Sequence, residues 1–356
     1  MGGQKSLLAL IDNMDREKFT PFLLLQDEGE LMQMADDRGV TVFKQHIPGF
    51  KPPNLFKLLR IRNRIKKFIK NNDIDIVHSD DAKFAYFSTL VAKKVNVKTI
   101  YHARVTDGRK YDKLLEKNID KVIGISEATR MRFDNIPKSK FQVVHNGVNC
   151  DIFHNNYDKS EVRDRLGVEK EKKVLIFIGQ IKESKGLGDI FDALSSLDDL
   201  NSYKLYILGS EPEEGKLVIF TSLAKKLGLE NIVKFVGQKS NVNEWLQAAD
   251  VVLFPSYEGA EGMGRVPFEA MATDTPVIAT NISGVNEAVN SDVGILVEQE
   301  RPDQLADAIT KILDDEELYN KLATNGRKRA LELFDIKVHA KNMMDLFEEM
   351  VNENEN

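Results

Sequence analysis

Residues 254–280 read Phe254-Pro-Ser-Tyr-Glu-Gly-Ala-Glu261-Gly-Met-Gly-Arg-Val-Pro-Phe-Glu269-Ala-Met-Ala-Thr-Asp-Thr-Pro-Val-Ile-Ala-Thr280. A continuous apolar run, Val251 to Phe254, precedes this stretch and reads as a buried parallel strand. A loop with Gly259, Gly262 and Gly264 follows, and a helix is expected to open close to Arg265. Glycines let the backbone approach a ligand closely, and a helix start presents free N–H groups with partial positive charge. The combination suits a diphosphate. Glu261 and Glu269 stand eight residues apart, just over two helical turns, so both share one side if the helix is regular. A plain strand-turn-helix with solvated glutamates has the same spacing.

Strand and helix alternate outward from this stretch. Upstream, strands are expected at 174–178, 205–208 and 232–236, with helices at 187–198, 215–227 and 242–248. Downstream come a strand at 277–278, a helix at 285–289 and three helices over 302–350. The N-terminal part repeats the pattern. Its strands are expected at 19–25, 40–43, 74–77, 97–101, 121–125 and 141–144. The polar stretch Asn155 to Asp158 reads as a linker. Two blocks of this kind mean two doubly wound α/β domains, 1–157 and 158–335, with a last helix at 336–350 returning to the first domain. The length of 356 residues agrees with two domains.

Composition narrows the class. Apolar residues are 42% and charged residues 30%, so disordered and fibrous classes are excluded. The single cysteine, Cys150, allows no internal disulfide. No apolar run is long enough for a membrane span. The net charge of −6 divides unevenly. Residues 1–150 carry 27 Lys/Arg and 18 Asp/Glu, or +9, and the remainder carries −15. Much of the positive charge lies in 51–72, where Lys51, Lys57, Arg60, Arg62, Arg64, Lys66, Lys67 and Lys70 meet no acid. Leu55, Leu58, Leu59, Ile61, Ile65, Phe68 and Ile69 give the same segment an apolar face. This composition fits a helix lying on an anionic membrane, and equally one that packs on its own sheet with a solvated basic face. Nucleic acid is disfavoured, since no aromatic residues interleave the charges.

Three further candidates lie where strands are expected to end. Gly179-Gln180-Ile-Lys-Glu-Ser-Lys185-Gly186 follows strand 174–178, and Lys185 can reach a phosphate as a point charge or remain a solvated lysine. His102 is expected just past strand 97–101, placed to touch a substrate or to serve as a structural histidine. Asn146-Gly147 marks a tight turn after strand 141–144. The six histidines and one cysteine form no zinc spacing, so no metal is expected. Residues 209–216 miss the P-loop pattern, because Lys216 is followed by Leu217.

Taken together, these motifs resemble the retaining glycosyltransferases of family 4, with the GT-B fold. Glu261 to Glu269 resembles the family's E-x7-E motif. Lys185-Gly186 resembles its lysine-glycine after the first strand of the nucleotide domain, and His145-Asn146-Gly147-Val148 its Asn-Gly-Val loop. Ser283-Gly-Val-Asn-Glu287 resembles a Gly-Gly-x-x-Glu segment, and Gly2-Gly3 the acceptor-side glycine loop. The resemblance implies two Rossmann-like domains facing a cleft, with a nucleotide-sugar donor bound mainly by the C-terminal one. His102, Lys185 and Glu261 would be catalytic. Gly179, Gln180, Lys185, Gly262, Met263, Gly264, Arg265, Val266 and Glu269 would bind the donor, with Glu261 at the sugar and Glu269 at the ribose. Gly2, Gly3 and Asn146 would lie on the acceptor side. It also implies front-face transfer with no cofactor and no metal, to a saccharide or lipid-linked acceptor of surface polysaccharide synthesis. The expected location is cytoplasmic, at the inner face of the membrane.

Three features depart from the family. Gln180 stands where an arginine is usual. Asp274 replaces a common glycine, a mild change because aspartate tolerates left-handed backbone. The Gly-Gly loop follows no strand, so the N-terminal sheet is expected to lack its first strand. Two other readings share these residues: a nucleotide-sugar epimerase of similar fold, and a degenerate member that binds nucleotide sugar without turnover.

Overall fold

The computed structural model describes residues 2–106, 108 and 110–352. The chain divides into two compact units, 1–147 with 336–356, and 148–335. The expected linker at 155–158 lies inside the second unit, so the boundary falls earlier, at Gly147 and Val148. Every strand pairs in parallel within its sheet.

The first unit holds β1 (Phe22–Leu25), β2 (Thr41–Lys44), β3 (Ile76–Ser79), β4 (Lys98–Ala103), β5 (Lys121–Gly124) and β6 (Phe141–Val143). They form two sheets, β1-β2 and β3-β4-β5-β6, with no ladder between the two among the described residues. The N-terminal strands thus fall into two separate sheets among the described residues. Gly2 and Gly3 do not form a loop. They open the Gly2–Asp12 helix, because Leu8, Leu10 and Ile11 are buried at helical spacing and glycine accepts helical backbone. The Ile336–Asn352 helix packs Ala340, Met343, Leu346 and Phe347 against Leu10, Ile100, Ile123 and Val144. The Leu55–Asn71 helix buries Leu58, Ile61, Ile65 and Ile69, the i, i+3, i+4 face that its sequence marks as apolar.

The second unit carries β7 (Lys173–Ile178), β8 (Tyr203–Leu208), β9 (Val233–Gly237), β10 (Val251–Phe254), β11 (Val277–Thr280) and β12 (Gly294–Val297). Their order is β12-β11-β10-β7-β8-β9. β12 and the Lys159–Leu166 helix lie outside the expected elements. β12 carries glycine and a short apolar run at the sheet edge, so it lacks the strong run of a central strand. The order reverses at β7 and β10, and ligands of open α/β sheets bind outside the carboxyl ends of strands at such a switch point.

Asp250, just before β10, joins the base of these two strands. Its carboxylate accepts from Val174 N at 2.7 Å and from Arg163 Nη2 at 2.7 Å, and it pairs with Lys159 Nζ at 3.1 Å. Arg163 is buried, and its Nε donates to Ala248 O at 2.9 Å. Removing one partner of such a pair leaves the other charge stranded. Asp250→Asn is therefore expected to cost the second unit about 3 kcal/mol, read as a lower urea midpoint. Cys150 is the single cysteine of the chain. Burial first, and then nearby Asp335, push its thiol up to about 12. At pH 8 the folded chain is expected to resist thiol reagents, with labelling appearing only as urea unfolds it.

Candidate active site at the switch point

The loops after β7 and β10 hold the candidate donor residues of the second unit. The first begins at Gly179, whose N–H donates to Leu208 O at 2.9 Å. Gln180 is exposed, and Ile181 N donates to Ser210 O at 3.0 Å. A single turn, Glu183–Lys185, then presents Lys185. Gly186 follows with φ +70°, and a Cβ there would collide with the carbonyl oxygen of Pro255. Only glycine fits, because both the left-handed backbone and the close approach exclude a side chain. The contact presses the β7 loop onto the β10 loop. Tyr257 N donates to Ser184 O at 3.0 Å, and Tyr257 Oη donates to Asp189 Oδ1 at 3.1 Å.

Lys185 is only 8% exposed. Its Nζ donates to Ala260 O at 3.1 Å and makes an ion pair with Glu261 Oε1. Gly262 and Met263 are buried behind it. Gly284, φ +85°, leaves no room for a Cβ beside the carbonyl oxygen of Gly262 and so supports that turn from behind. Gly264 has φ +72°. The helix begins at Val266, with Arg265 as its N-cap residue, and ends at Ala272. Glu261 therefore lies in the loop, and it does not share a helical face with Glu269. The two carboxylates take different cations, Glu261 on Lys185 and Glu269 on Arg265 Nη2 at 3.2 Å. Asp274 has φ +56°, the left-handed backbone for which its side chain is tolerant.

The first unit gathers its candidates at the carboxyl ends of β3, β4 and β6. Asn146 Oδ1 accepts from Arg104 Nη1 at 2.8 Å. The open side of Gly3 faces Arg104, whose Cδ lies 3.5 Å from where a Cβ would be. Contrary to the expectation from the sequence, His102 does not lie past its strand. It lies inside β4, which runs two residues further than expected, and it is 0% exposed. Its Nδ1 turns to His78 Nε2 at 3.3 Å and to Arg104 Nη2 at 3.4 Å. Burial, followed by the positive field of Arg104, holds it well below the usual histidine range, so the ring is neutral at pH 7. Arg104, not His102, is the first residue past the strand. Its Nε lies 3.1 Å from Asp80 Oδ2. The sequence alone did not single out His78, Asp80 and Arg104. The i, i+2 spacings 78/80 and 102/104 are visible, but their meeting depends on the β3–β4 register, His78 opposite Ile100.

Two sequence profiles match the chain. Glyco_transf_4, described as "Glycosyltransferase Family 4", matches residues 2–152, and "Glycosyl transferases group 1" matches residues 158–329. The chain belongs to the group 1, family 4 glycosyltransferases. Among curated relatives, the lipopolysaccharide core biosynthesis mannosyltransferase LpsB of Rhizobium meliloti is 26% identical over 247 residues, 68% of this chain and 69% of that protein. The N-acetyl-alpha-D-glucosaminyl L-malate synthase of Bacillus anthracis is 29% identical over 56% of this chain, and the match spans about half, 51%, of that relative. Among solved structures, a glycosyltransferase of Rickettsia africae superposes with TM-score 0.89 at 22% identity, over 98% of this chain and 95% of that one. Anabaena HepE in complex with UDP gives 0.86 at 20% identity, over 98% and 96%. At these identities the structures establish the GT-B fold.

Gly186→Ala forces a Cβ into the Pro255 carbonyl. It is expected to separate the two loops and to cost at least about 2 kcal/mol, combining left-handed strain with overpacking. Urea denaturation measures the loss.

Proposed function

We propose that this chain is a retaining glycosyltransferase. It moves a sugar from a nucleotide-sugar donor to a saccharide or lipid-linked acceptor in surface polysaccharide synthesis. The observation that carries the reading is a nearly buried lysine, Lys185, held at the β7/β10 switch point by a carboxylate that a phosphate can replace. Support comes from the names of similar proteins, which include a lipopolysaccharide core mannosyltransferase and a UDP complex.

The chemistry follows from charge. As the bond from the sugar C1 to the diphosphate oxygen breaks, negative charge grows on the departing phosphate. Lys185 and the amides near Gly262 to Val266 stabilise that charge more than the ground state. The acceptor hydroxyl attacks C1 from the face the phosphate leaves, and its proton passes to the departing phosphate oxygen. Configuration is retained. Glu261, released from Lys185 by the diphosphate, is free to accept from sugar hydroxyls, while Glu269 serves the ribose. Lys185 and the amides do the work that a divalent cation does in other sites, so the transfer is read as metal-independent. Gln180 supplies no charge, which leaves Lys185 with a larger share. His102, enclosed in β4, is assigned no contact with the sugar.

The acceptor reading belongs to the first unit, whose Asn146, Gly3 and Arg104 adjoin. The Leu55–Asn71 helix supports a place at an anionic membrane. Its exposed face keeps Leu55 at 57%, Phe56 at 85% and Leu59 at 45% exposure beside its basic residues. No helix among the described residues is long and apolar enough to cross a membrane.

Lys185→Ala is expected to weaken nucleoside diphosphate binding at least tenfold and to abolish transfer, whereas Glu269→Ala weakens binding of the nucleotide part. Calorimetry with UDP, GDP and ADP, followed by release of nucleoside diphosphate from their sugars, tests this. Unchanged binding in both variants would remove the site. Binding without turnover for any acceptor would favour the degenerate reading. Binding to phosphatidylglycerol vesicles is expected to fall with salt and to be lost when Lys57, Arg60, Lys66 and Lys67 are changed to Glu.

A further inference from the structure

At the end of β3 and β4, three basic side-chain atoms form a nearly regular triangle. His78 Nε2 lies 3.3 Å from His102 Nδ1 and 3.6 Å from Asp80 Oδ1, and His102 Nδ1 lies 3.7 Å from that same oxygen. The placement follows from strand geometry. His78 and Asp80 are two apart and share a face. β3 pairs in parallel with β4, which brings His102 beside them on that face. The sequence shows no zinc spacing because the ligands come from two strands, separated by the 82–92 helix.

The triangle poses a physical problem as it stands. Asp80 Oδ1 is buried and has no hydrogen-bond partner among the described residues. Both nitrogens lie beyond hydrogen-bond reach of it. A buried carboxylate oxygen without a partner is costly, because its lost hydration is not replaced. A cation among the three atoms removes that cost. Four ligands at about 2.0–2.1 Å from zinc, arranged as a tetrahedron, have edges of about 3.3–3.4 Å. The observed edges are this size or slightly longer, so a contraction of a few tenths of an ångström closes them on an ion.

We propose that His78, Asp80 and His102 bind a divalent transition metal, zinc foremost, with a fourth position open to water or a ligand. Two imidazoles and one carboxylate form a donor set that such ions accept. The surroundings fit in two further respects. Burial outweighs the opposing field of Asp80, and Arg104 adds to it, so His78 lies below its ordinary value. Arg104 Nε lies at Oδ2, the other carboxylate oxygen, where an outer partner orients a ligating carboxylate. The guanidinium also repels the ion, and Arg104 Nη2 must withdraw from His102 Nδ1 for the metal to enter. His78 and Asp80 are partly exposed, which gives the ion a way in. The ion would fix Asp80, and through it Arg104 and Asn146. The proposal does not depend on the transfer reaction and assigns the ion no step in it.

The test uses the full chain, stripped with chelator and titrated with cobalt(II) as a spectroscopic probe, with zinc measured by equilibrium dialysis. The expected result is one ion per chain and visible d–d absorption of a four- or five-coordinate nitrogen and oxygen site. Asp80→Asn and His78→Gln are each expected to weaken binding at least tenfold, with circular dichroism matching the parent chain. His102→Gln is informative only if it folds, so these two partly exposed positions decide. Failure to saturate at one ion, affinity unchanged in both variants, or a thiolate charge-transfer band from Cys150 would overturn the proposal.

Discussion

The pairing of β7 with β10 is the constraint from which the candidate site follows. These strands adjoin although three helices and two strands separate them in sequence, and Leu175 to Phe177 lie opposite Val251 to Leu253. At their amino ends Asp250 ties the β7 backbone to Arg163. At their carboxyl ends the two loops meet so closely that residue 186 must lack a side chain. A lysine from one loop and a glutamate from the other are then obliged to meet in a nearly buried place. Burial makes that ion pair a competitor for any anion. A ligand must supply Lys185 with at least the charge that Glu261 removes.

The first unit applies the same logic to a different balance of groups. Parallel strands again deliver polar residues to one end of a sheet, where they find histidines, one aspartate and one arginine. Neutral imidazoles, not a helix start or glycine loop, dominate the chemistry there. The strong positive charge of this half lies mostly elsewhere, on the Leu55–Asn71 helix, whose inward face is fully used by the core. The charge imbalance between the halves thus lies mainly on that helix, apart from the polar groups at the strand ends.

Much of the fold was legible in the sequence because buried parallel strands write themselves as continuous apolar runs. Val174 to Ile178 and Val251 to Phe254 are clear cases. β12, at the sheet edge, has only the three-residue run Ile295 to Val297 behind a glycine and went unread. In the site, glycines and the Glu261/Glu269 spacing marked the loop. Their partners were not legible, because Lys185 opposite Glu261 is set by strand order and Arg265 opposite Glu269 by where the helix begins. His102 illustrates the limit most sharply. The strand reading stopped at Tyr101, but β4 continues through a fully buried histidine. The residue that emerges is Arg104. The triangle of His78, Asp80 and His102 was invisible for a similar reason, since register, unlike spacing, is not written along the chain.

If Glu261 guards Lys185 until a diphosphate replaces it, removing the carboxylate must free the lysine for a nucleotide. The most direct measurement compares the affinity of the parent chain and of Glu261→Gln for whichever of UDP, GDP and ADP binds tightest, by calorimetry at fixed pH and salt. The variant, with its lysine no longer paired to a carboxylate, is expected to bind the nucleoside diphosphate several-fold more tightly while losing sugar transfer. Equal or weaker binding by a folded Glu261→Gln chain would contradict it.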